Sequence, residues 1–163
     1  MRSASAARTR RSPSVATAAD PLAALEGRLG HRFADRTLLT RALTHASYAA
    51  EHADADSQDV LAFLGDAALG LVVAEHLVRA EPAAPVGRLT PRRAALVADG
   101  TLARWAATLD LGPLLRLGRG AEQTGGRTTA SILATTLEAI LGALYLDAGL
   151  TAVRPAVARL AAW

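Results

Sequence analysis

Two long apolar stretches, residues 60–74 and 131–146, dominate the pattern of hydrophobic and polar positions along the chain. On a helix of 3.6 residues per turn, each stretch is apolar on nearly every side, which is typical of a helix in the middle of a domain. Glu138 and two threonines interrupt the second stretch, which falls short of the roughly 18 to 20 clean apolar residues of a membrane span. The pattern therefore predicts two buried core helices, over 57–79 and 131–147, and no association with a membrane.

Capping signals place shorter helices around these two. A polar N-cap, a proline in the first turn and a glycine after the last turn are the usual helix boundaries. Start signals occur at Asp20-Pro21, Asp35, Thr90-Pro91, Asp99 or Thr101, and Thr151, and stop signals occur at Gly30, Gly112-Pro113 and Gly149. Polar or glycine-rich residues at 51–56 and 117–127 predict loops. Few β-branched or aromatic clusters compete with these helices, so the sequence predicts an all-α fold.

Length, charge and cysteine content describe one domain with a basic extension. A chain of 163 residues that is 51% hydrophobic is long enough for one sizeable core. It contains no cysteine, which excludes disulfides and thiolate metal sites and makes the cytoplasm the expected location. All 18 basic residues are arginines, and four of them lie in the first 11 residues, which contain no acid. Residues 1–19 are thus predicted to be a disordered basic arm, either idle or phosphate-contacting, before a near-neutral domain over 20–163.

Asp66 and Glu138 are the only charged residues in the two apolar stretches. Burying an unpaired carboxylate costs several kcal/mol, so such a group is usually paired with a cation, hydrogen-bonded, protonated or bound to a metal. Two interpretations follow from this. Either the two acids share one site, or each pairs separately with an arginine such as Arg92 or Arg93.

Helical spacing places further residues beside these acids. Asp59, Ala62 and Asp66 follow one stripe at i, i+3 and i+7, and Thr135 and Glu138 share a face at i and i+3. If the two stripes face each other, the carboxylates would suit Mg²⁺, which keeps several waters and can activate one for attack on a phosphodiester. Any inward-facing pair of acids satisfies this argument, so spacing alone does not choose between the two interpretations.

The sequence around Asp66 is more specific than its spacing. The run DVLAFLGDA at 59–67 resembles the ribonuclease III signature, in which Asn-Glu-Arg-Leu-Glu-Phe-Leu-Gly-Asp is usual. Further segments resemble the family in the same order: LTHASY at 43–48, LTPRRAALV at 89–97, LRLGRG at 115–120, GG at 125–126, SILA at 131–134 and EAILGALYLD at 138–147. Together they span about 25–157, so nearly all of the predicted domain resembles the ribonuclease III catalytic domain.

The resemblance implies a compact helical homodimer whose two acidic clefts cleave the strands of double-stranded RNA with Mg²⁺. Phe63 matches the signature phenylalanine that inserts into a socket on the partner subunit, and an ordinary core phenylalanine is the alternative. Most bacterial relatives carry a double-stranded RNA-binding domain after the catalytic one. Because this sequence ends at Trp163, we expect weak and salt-dependent RNA binding. Candidate RNA contacts in or next to the glycine-rich segment 117–127, which we call the glycine loop, are Arg116, Arg119 and Arg127.

The metal-site positions implied by the resemblance are only half preserved. The four acidic positions of the family fall on Ala62, Asp66, Thr135 and Glu138, and Asp59 matches a further acid of the signature. Alanine offers no ligand and a threonine hydroxyl is a poor substitute for a carboxylate. We therefore expect weakened binding of Mg²⁺ or Mn²⁺ at Asp66 and Glu138, and weakened hydrolysis.

Three functions are compatible with these observations. The first is an endoribonuclease acting on double-stranded RNA, weakened or using a site in which Asp59 assists Asp66 and Glu138. The second is a non-catalytic dimer that binds RNA or serves as a scaffold. The third is a fold in which the same acids, or His45, perform acid-base chemistry on a small molecule.

Overall fold

The computed structural model describes residues 20–163, and the predicted basic arm at 1–19 lies outside the described residues. The described chain forms the helices α1 (Pro21–Leu29), α2 (Arg36–Ala42), α3 (Ala46–Glu51), α4 (Asp59–Ala80), α5 (Val86–Leu96), α6 (Asp99–Thr108), α7 (Arg119–Gln123), α8 (Ala130–Ala148) and α9 (Leu150–Ala161), with 3₁₀ turns at Gly112–Leu114 and Gly126–Thr128. Over the same 20–163 segment there is no β-strand, only an isolated bridge between Thr44 and Arg116. The predicted all-α fold class is confirmed.

The long helices α4 and α8 pack against each other at the centre of the fold, more extensively than any other described pair of elements. Helices α2, α6 and α9 surround α8, and α5 lies along α4. Fully buried side chains of the core include Leu61, Leu69, Leu102, Leu137, Ile140, Leu141 and Leu144. By length and composition alone, α4 and α8 could each span a membrane. Their packing against each other accounts for their apolar sequence, as expected of core helices.

The predicted bounds of α1, α4 and α8 and the predicted start of α2 are confirmed. Asp20 caps α1 by accepting a hydrogen bond from the N–H of Leu22 at 3.0 Å, and Gly30 ends the helix with a left-handed φ of 73°. Asp35 caps α2 in the same way, accepting the N–H of Thr37 at 2.8 Å. Helices α4 and α8 begin and end within two residues of the predicted positions.

The helix start predicted one residue before Pro91 is wrong, because α5 begins at Val86 and carries this proline in its interior. A proline there removes one backbone hydrogen bond and crowds the preceding turn. Arg88 and Arg92, on either side of the proline, both pair with Glu81. These ion pairs join α5 to the end of α4 on both sides of a residue that local sequence rules assign to a helix start.

The predicted loop over 117–127 is also partly wrong, since it contains α7 and the start of a 3₁₀ turn. Helix α3, which was not predicted, immediately precedes the polar segment 52–58. Helices of five or six residues, such as α7 and α3, expose too few positions for hydrophobic periodicity to identify them.

Candidate active site at the crossing of the two core helices

The backbones of α4 and α8 touch where Gly65 crosses Gly142. A Cβ atom built on Gly65 would collide with the carbonyl oxygen of Glu138 and lie 2.7 Å from the backbone nitrogen of Gly142. A Cβ atom on Gly142 would collide with the carbonyl oxygen of Leu61 and lie 3.1 Å from the backbone nitrogen of Gly65. Because Asp66 follows Gly65 directly, this crossing brings Asp66 to the turn of α8 that carries Glu138.

The two acids form a pair of like charges at the edge of the core. Burial, together with the negative charges of Asp66 and Asp99, raises the pKa of Glu138 from its ordinary value of 4.5 to about 7. Glu138 is half-buried whereas Asp66 is exposed, so the pair is open to solvent on one side. The structure therefore brings together the two acids that the sequence analysis singled out.

Arginines do not neutralise this pair. Across the described 20–163 segment, neither Asp66 nor Glu138 takes part in an ion pair, and Arg92 pairs with Glu81. The interpretation in which each acid pairs separately with an arginine is therefore wrong. What remains is an uncompensated acidic cluster, which would attract a cation or a proton.

Asp99, the first residue of α6, is a third acid whose charge reaches Glu138. From the sequence alone, Asp99 is only a possible helix start. The position of Asp99 in the sequence does not indicate a contact with α4 or α8. Asp99 lies near Glu138 because α6 packs against α8. Its contribution to the site is a tertiary property without a local sequence signal.

The replaced acid positions lie beside the pair and supply no charge. Ala62 is buried one turn before Asp66, and Thr135 is half-buried one turn before Glu138. Asp59 lies two turns before Asp66, about 10 Å away along the helix axis, and its carboxylate accepts a hydrogen bond from the Ser57 hydroxyl at 2.9 Å. In the part of the chain that the structure describes, no three His, Cys, Asp or Glu side chains lie close enough to hold a metal ion. The depleted cluster thus offers two carboxylates, with Asp99 as the nearest further charge.

His45 has a structural role in α3. Its Nδ1 accepts the N–H of Ser47 at 3.2 Å, which caps the first turn of the helix. The Ser47 hydroxyl lies 2.8 Å from the same nitrogen and accepts the N–H of Gly118 at 2.9 Å. His45 is therefore engaged in local hydrogen bonds that fix α3 and the glycine loop.

The three arginines near the glycine loop differ in their surroundings. The Arg127 guanidinium donates to the carbonyl oxygens of Gly112 at 2.9 Å and Leu115 at 3.0 Å, so it holds the loop together. Arg116 donates to the Thr44 hydroxyl at 3.0 Å. Arg119 is exposed, and its guanidinium has no hydrogen bond or ion pair among residues 20–163. Arg119 is thus the most accessible of the three predicted RNA contacts.

An exposed apolar stripe runs along the outer face of α4. Phe63 is 81% exposed, which shows that it is not an ordinary core phenylalanine of the isolated chain. The other large exposed apolar side chains of this helix are Val60, Leu71 and Val78. Together with Phe63, these residues lie three, eight and seven positions apart, which places all four on one side of the helix. We refer to Val60, Phe63, Leu71 and Val78 as the α4 stripe.

The charge on Glu138 predicts a pH-dependent cost to folding. Because the folded pKa of about 7 exceeds the ordinary 4.5, the cost of ionisation is absent below pH 4.5, grows as the pH rises and is complete above about pH 7. Glu138→Gln is expected to raise Tm at pH 8.5 by about 3 °C, the shift that about 1 kcal/mol gives in a domain of this size. At pH 4.5 the gain should vanish. Scanning calorimetry at both pH values tests this, and an equal gain at both would contradict the electrostatic explanation.

Comparisons with known proteins match most of the described chain to one family. A family model described as Ribonuclease-III-like matches residues 35–161. The chain is 53% identical to Ribonuclease 3 of Streptomyces coelicolor, covering 83% of this chain and 49% of that protein. It is 51% identical to Ribonuclease 3 of Caulobacter vibrioides, covering 80% of this chain and 56% of the relative. The chain thus spans about half the length of these curated relatives.

Solved structures give the same result for the fold. A nuclease domain of ribonuclease III from Campylobacter jejuni, described for structural flexibility in a region involved in dimer formation, has a TM-score of 0.79 and 39% sequence identity. The match covers 84% of this chain and 93% of that domain. A second structure of the same nuclease domain at 2.2 Å resolution also has a TM-score of 0.79, with 38% identity.

Proposed function

Because the chain belongs to the ribonuclease III family, we propose that residues 20–163 form an endonuclease domain that cleaves double-stranded RNA, with its metal-dependent hydrolysis weakened. The observation that carries the proposal is the apposition of Asp66 and Glu138, without a neutralising arginine, at the crossing of α4 and α8. Phosphodiester hydrolysis by such a site needs oxygen ligands for a divalent cation on the substrate-facing side. The exposed Asp66 and half-buried Glu138 meet that need in part.

The donor set fits Mg²⁺ or Mn²⁺ held loosely. Asp66 and Glu138 would be the ligands, and a cation would relieve the repulsion that, after burial, contributes to the raised pKa of Glu138. When bound, the cation would supply charge stabilisation at the phosphate and an activated water. Ala62 adds no ligand and Thr135 adds at most a neutral oxygen, so most of the coordination sphere would be water. Asp59, through its position on the same helix, would attract the cation only at longer range.

We further propose that the chain is a homodimer through the α4 stripe. An apolar row of this length on a helix at the centre of the fold is unusual for a monomer surface. Phe63, exposed at 81%, would be the central contact and would enter a socket on the partner. A two-fold dimer uses the same surface on both subunits, so one stripe provides both halves of the interface.

Phe63→Ala is expected to shift the native dimer toward the monomer while leaving the fold intact. The exposed ring contributes little to the isolated subunit, whereas a central aromatic contact is worth about 2 kcal/mol or more to an interface. Sedimentation equilibrium at micromolar concentration, with circular dichroism of the same samples, measures both effects. Leu146→Ala, which truncates a side chain 55% exposed on α8, is the matched control. A native chain that is monomeric at micromolar concentration would contradict the dimer.

The RNA surface would combine the acidic cleft with arginines outside it. Arg119 is free to pair with a phosphate, whereas the less exposed Arg116 guanidinium already donates to the Thr44 hydroxyl. Residues 1–19, which contain four arginines and no acid before Asp20, would add sequence-independent phosphate contacts. Binding should therefore weaken steeply with salt. A domain of this kind would act in the cytoplasm and without a membrane partner.

The proposal is tested with a labelled RNA duplex in Mg²⁺ or Mn²⁺ at low salt. We expect slow cleavage that is lost in Asp66→Asn and in Glu138→Gln, with both variants folded by circular dichroism. Cleavage that persists in both variants would assign the activity to a contaminant or another site. Absence of cleavage by the native dimer, even with Mn²⁺ and saturating protein, would contradict the proposed hydrolysis.

A second candidate function is a non-catalytic dimer that binds RNA. The observation in its favour is the replacement of two of the four expected acids by Ala62 and Thr135 with the surrounding core intact. Duplex binding without cleavage in the same assay would select this function. A small-molecule reaction using Glu138 as a general acid or base is the third, since its pKa of about 7 suits proton transfer at neutral pH.

A further inference from the structure

A three-layer stack of side chains lies between α3 and the glycine loop. The Tyr48 and His52 rings are parallel, with centroids 3.8 Å apart, and the Arg116 guanidinium carbon lies 4.3 Å from the Tyr48 centroid. Two groups at such distances cannot share one ring face, so Tyr48 lies between them. Arg116 is fixed in turn by its hydrogen bond to the Thr44 hydroxyl at 3.0 Å. The stack therefore ends, on its outer side, in an exposed imidazole.

The His52 ring is held in one orientation and, when neutral, in one tautomer. Its Nδ1 lies 2.9 Å from the carbonyl oxygen of Tyr48. A carbonyl oxygen can only accept, so Nδ1 carries the proton. In the neutral ring Nε2 is then an acceptor, available to a donor from outside the protein.

A concavity of about 570 Å³ adjoins this imidazole and is lined by Glu51, His52, Leu117 and Arg119. Its volume lies within the roughly 300–1,000 Å³ of small-ligand sites. The lining combines an aromatic ring, an apolar side chain, a carboxylate and a guanidinium that has no partner in the described chain. This is the set of groups that recognises a planar base carrying a phosphate.

The first residue of α7, Arg119, and the preceding Gly118 are anchored to α3. The N–H of Arg119 donates to the Glu51 carboxylate at 2.8 Å, and the N–H of Gly118 donates to the Ser47 hydroxyl at 2.9 Å. A Cβ atom on Gly118 would collide with the backbone carbonyl oxygen of Ser47, so this close approach requires glycine. The His52 imidazole and the backbone at Arg119 are thus positioned by the fold before any ligand binds, and the Arg119 guanidinium is free to turn toward a ligand.

We propose that this concavity binds one unpaired nucleotide, with its base stacked on His52 and its phosphate paired with the Arg119 guanidinium. The free oxygen of the Glu51 carboxylate would accept a hydrogen bond from a ribose hydroxyl or a base amino group. The nucleotide could come from solution or from an unpaired position in an RNA strand. The inference rests on the proposed function only for the second of these sources.

Binding is tested on the full chain in buffer without divalent cations, using 5′-AMP, a single-stranded RNA tetranucleotide and a blunt RNA duplex. We expect 5′-AMP or the tetranucleotide to shift the NMR signals of the His52 ring protons. His52→Ala should weaken the affinity about tenfold, and His52→Phe should restore most of it. Arg119→Ala should weaken binding of 5′-AMP but not of adenosine. His76→Ala, which removes the other stacked histidine of the described chain, should have no effect.

The outcomes distinguish a free nucleotide from an RNA strand as the ligand. They also distinguish a failure of this inference from a failure of the proposed hydrolysis. Binding of 5′-AMP alone identifies a free nucleotide, and binding of the tetranucleotide alone identifies RNA. Binding of neither, or equal affinity in folded His52→Ala, overturns the inference. Because the measurement needs neither metal nor cleavage, an inactive nuclease that still binds 5′-AMP contradicts the proposed hydrolysis and leaves the nucleotide site standing.

Discussion

The double variant Ala62→Glu, Thr135→Asp is expected to cleave an RNA duplex at least about 100-fold faster than the native chain in Mg²⁺. The new acids would stand one turn before Asp66 and Glu138 on the same helix faces. Each adds a negative charge and a carboxylate ligand, where the native site has only the Ala62 methyl group and the neutral Thr135 hydroxyl. A hundredfold gain corresponds to about 2.7 kcal/mol of transition-state stabilisation, a modest demand on two metal ligands. Single-turnover cleavage of a labelled duplex measures it.

The control for this variant separates charge from shape. Ala62→Gln, Thr135→Asn has side chains of matching size without the charges and should remain as slow as the native chain. The acidic variant should also have a lower Tm without metal, because four carboxylates repel, and should regain stability when Mg²⁺ is added. Equal rates for the acidic and amide variants would show that missing ligands are not what limits this site.

Gly65→Ala is expected to prevent stable folding. Its methyl group would occupy the space of the Glu138 carbonyl oxygen, and backbone cannot move aside as a flexible side chain can. Separating α4 from α8 would open the centre of the core, with an expected cost above about 4 kcal/mol. Urea denaturation followed by circular dichroism measures the loss, or shows the absence of a folded baseline.

Gly70→Ala is the matched control, because Gly70 lies in the same helix and a Cβ atom there would meet nothing within 4 Å. In a helix interior this change should stabilise the fold by about 0.5–1 kcal/mol. If Gly65→Ala unfolds at the same urea concentration as Gly70→Ala, the close crossing of the two helices is not a requirement of the fold.

Capping and apolar patterns in the sequence were sufficient to predict helix starts and core helices, because interactions within a few residues determine these features. The caps at Asp20 and Asp35 follow from side-chain hydrogen bonds to the next turn, and the bounds of α4 and α8 follow from apolar composition. That each acid was solitary in an apolar helix made a shared site one of two interpretations for Asp66 and Glu138. The family resemblance then supplied their common position.

Other features depend on contacts that spacing does not encode. Asp99 reaches Glu138 only because α6 packs on α8, and α5 continues through Pro91 in a position where Arg88 and Arg92 both pair with Glu81 at the end of α4. The stack on Tyr48 joins α3 to a loop far along the chain. The sequence predicted one role, RNA contact, for Arg116, Arg119 and Arg127. In the structure their guanidinium groups have three different environments.

The crossing of Gly65 and Gly142 also bears on how the chain reaches its native state. The two glycines belong to widely separated parts of the sequence, so their contact closes a long loop and raises the contact order of the fold. During synthesis, α4 is complete well before α8 emerges. The acids therefore remain apart in the nascent chain, and their repulsion enters only when the core closes. The candidate site is assembled at the same step that completes the domain, so a partly folded chain would have no assembled acid pair to bind a cation.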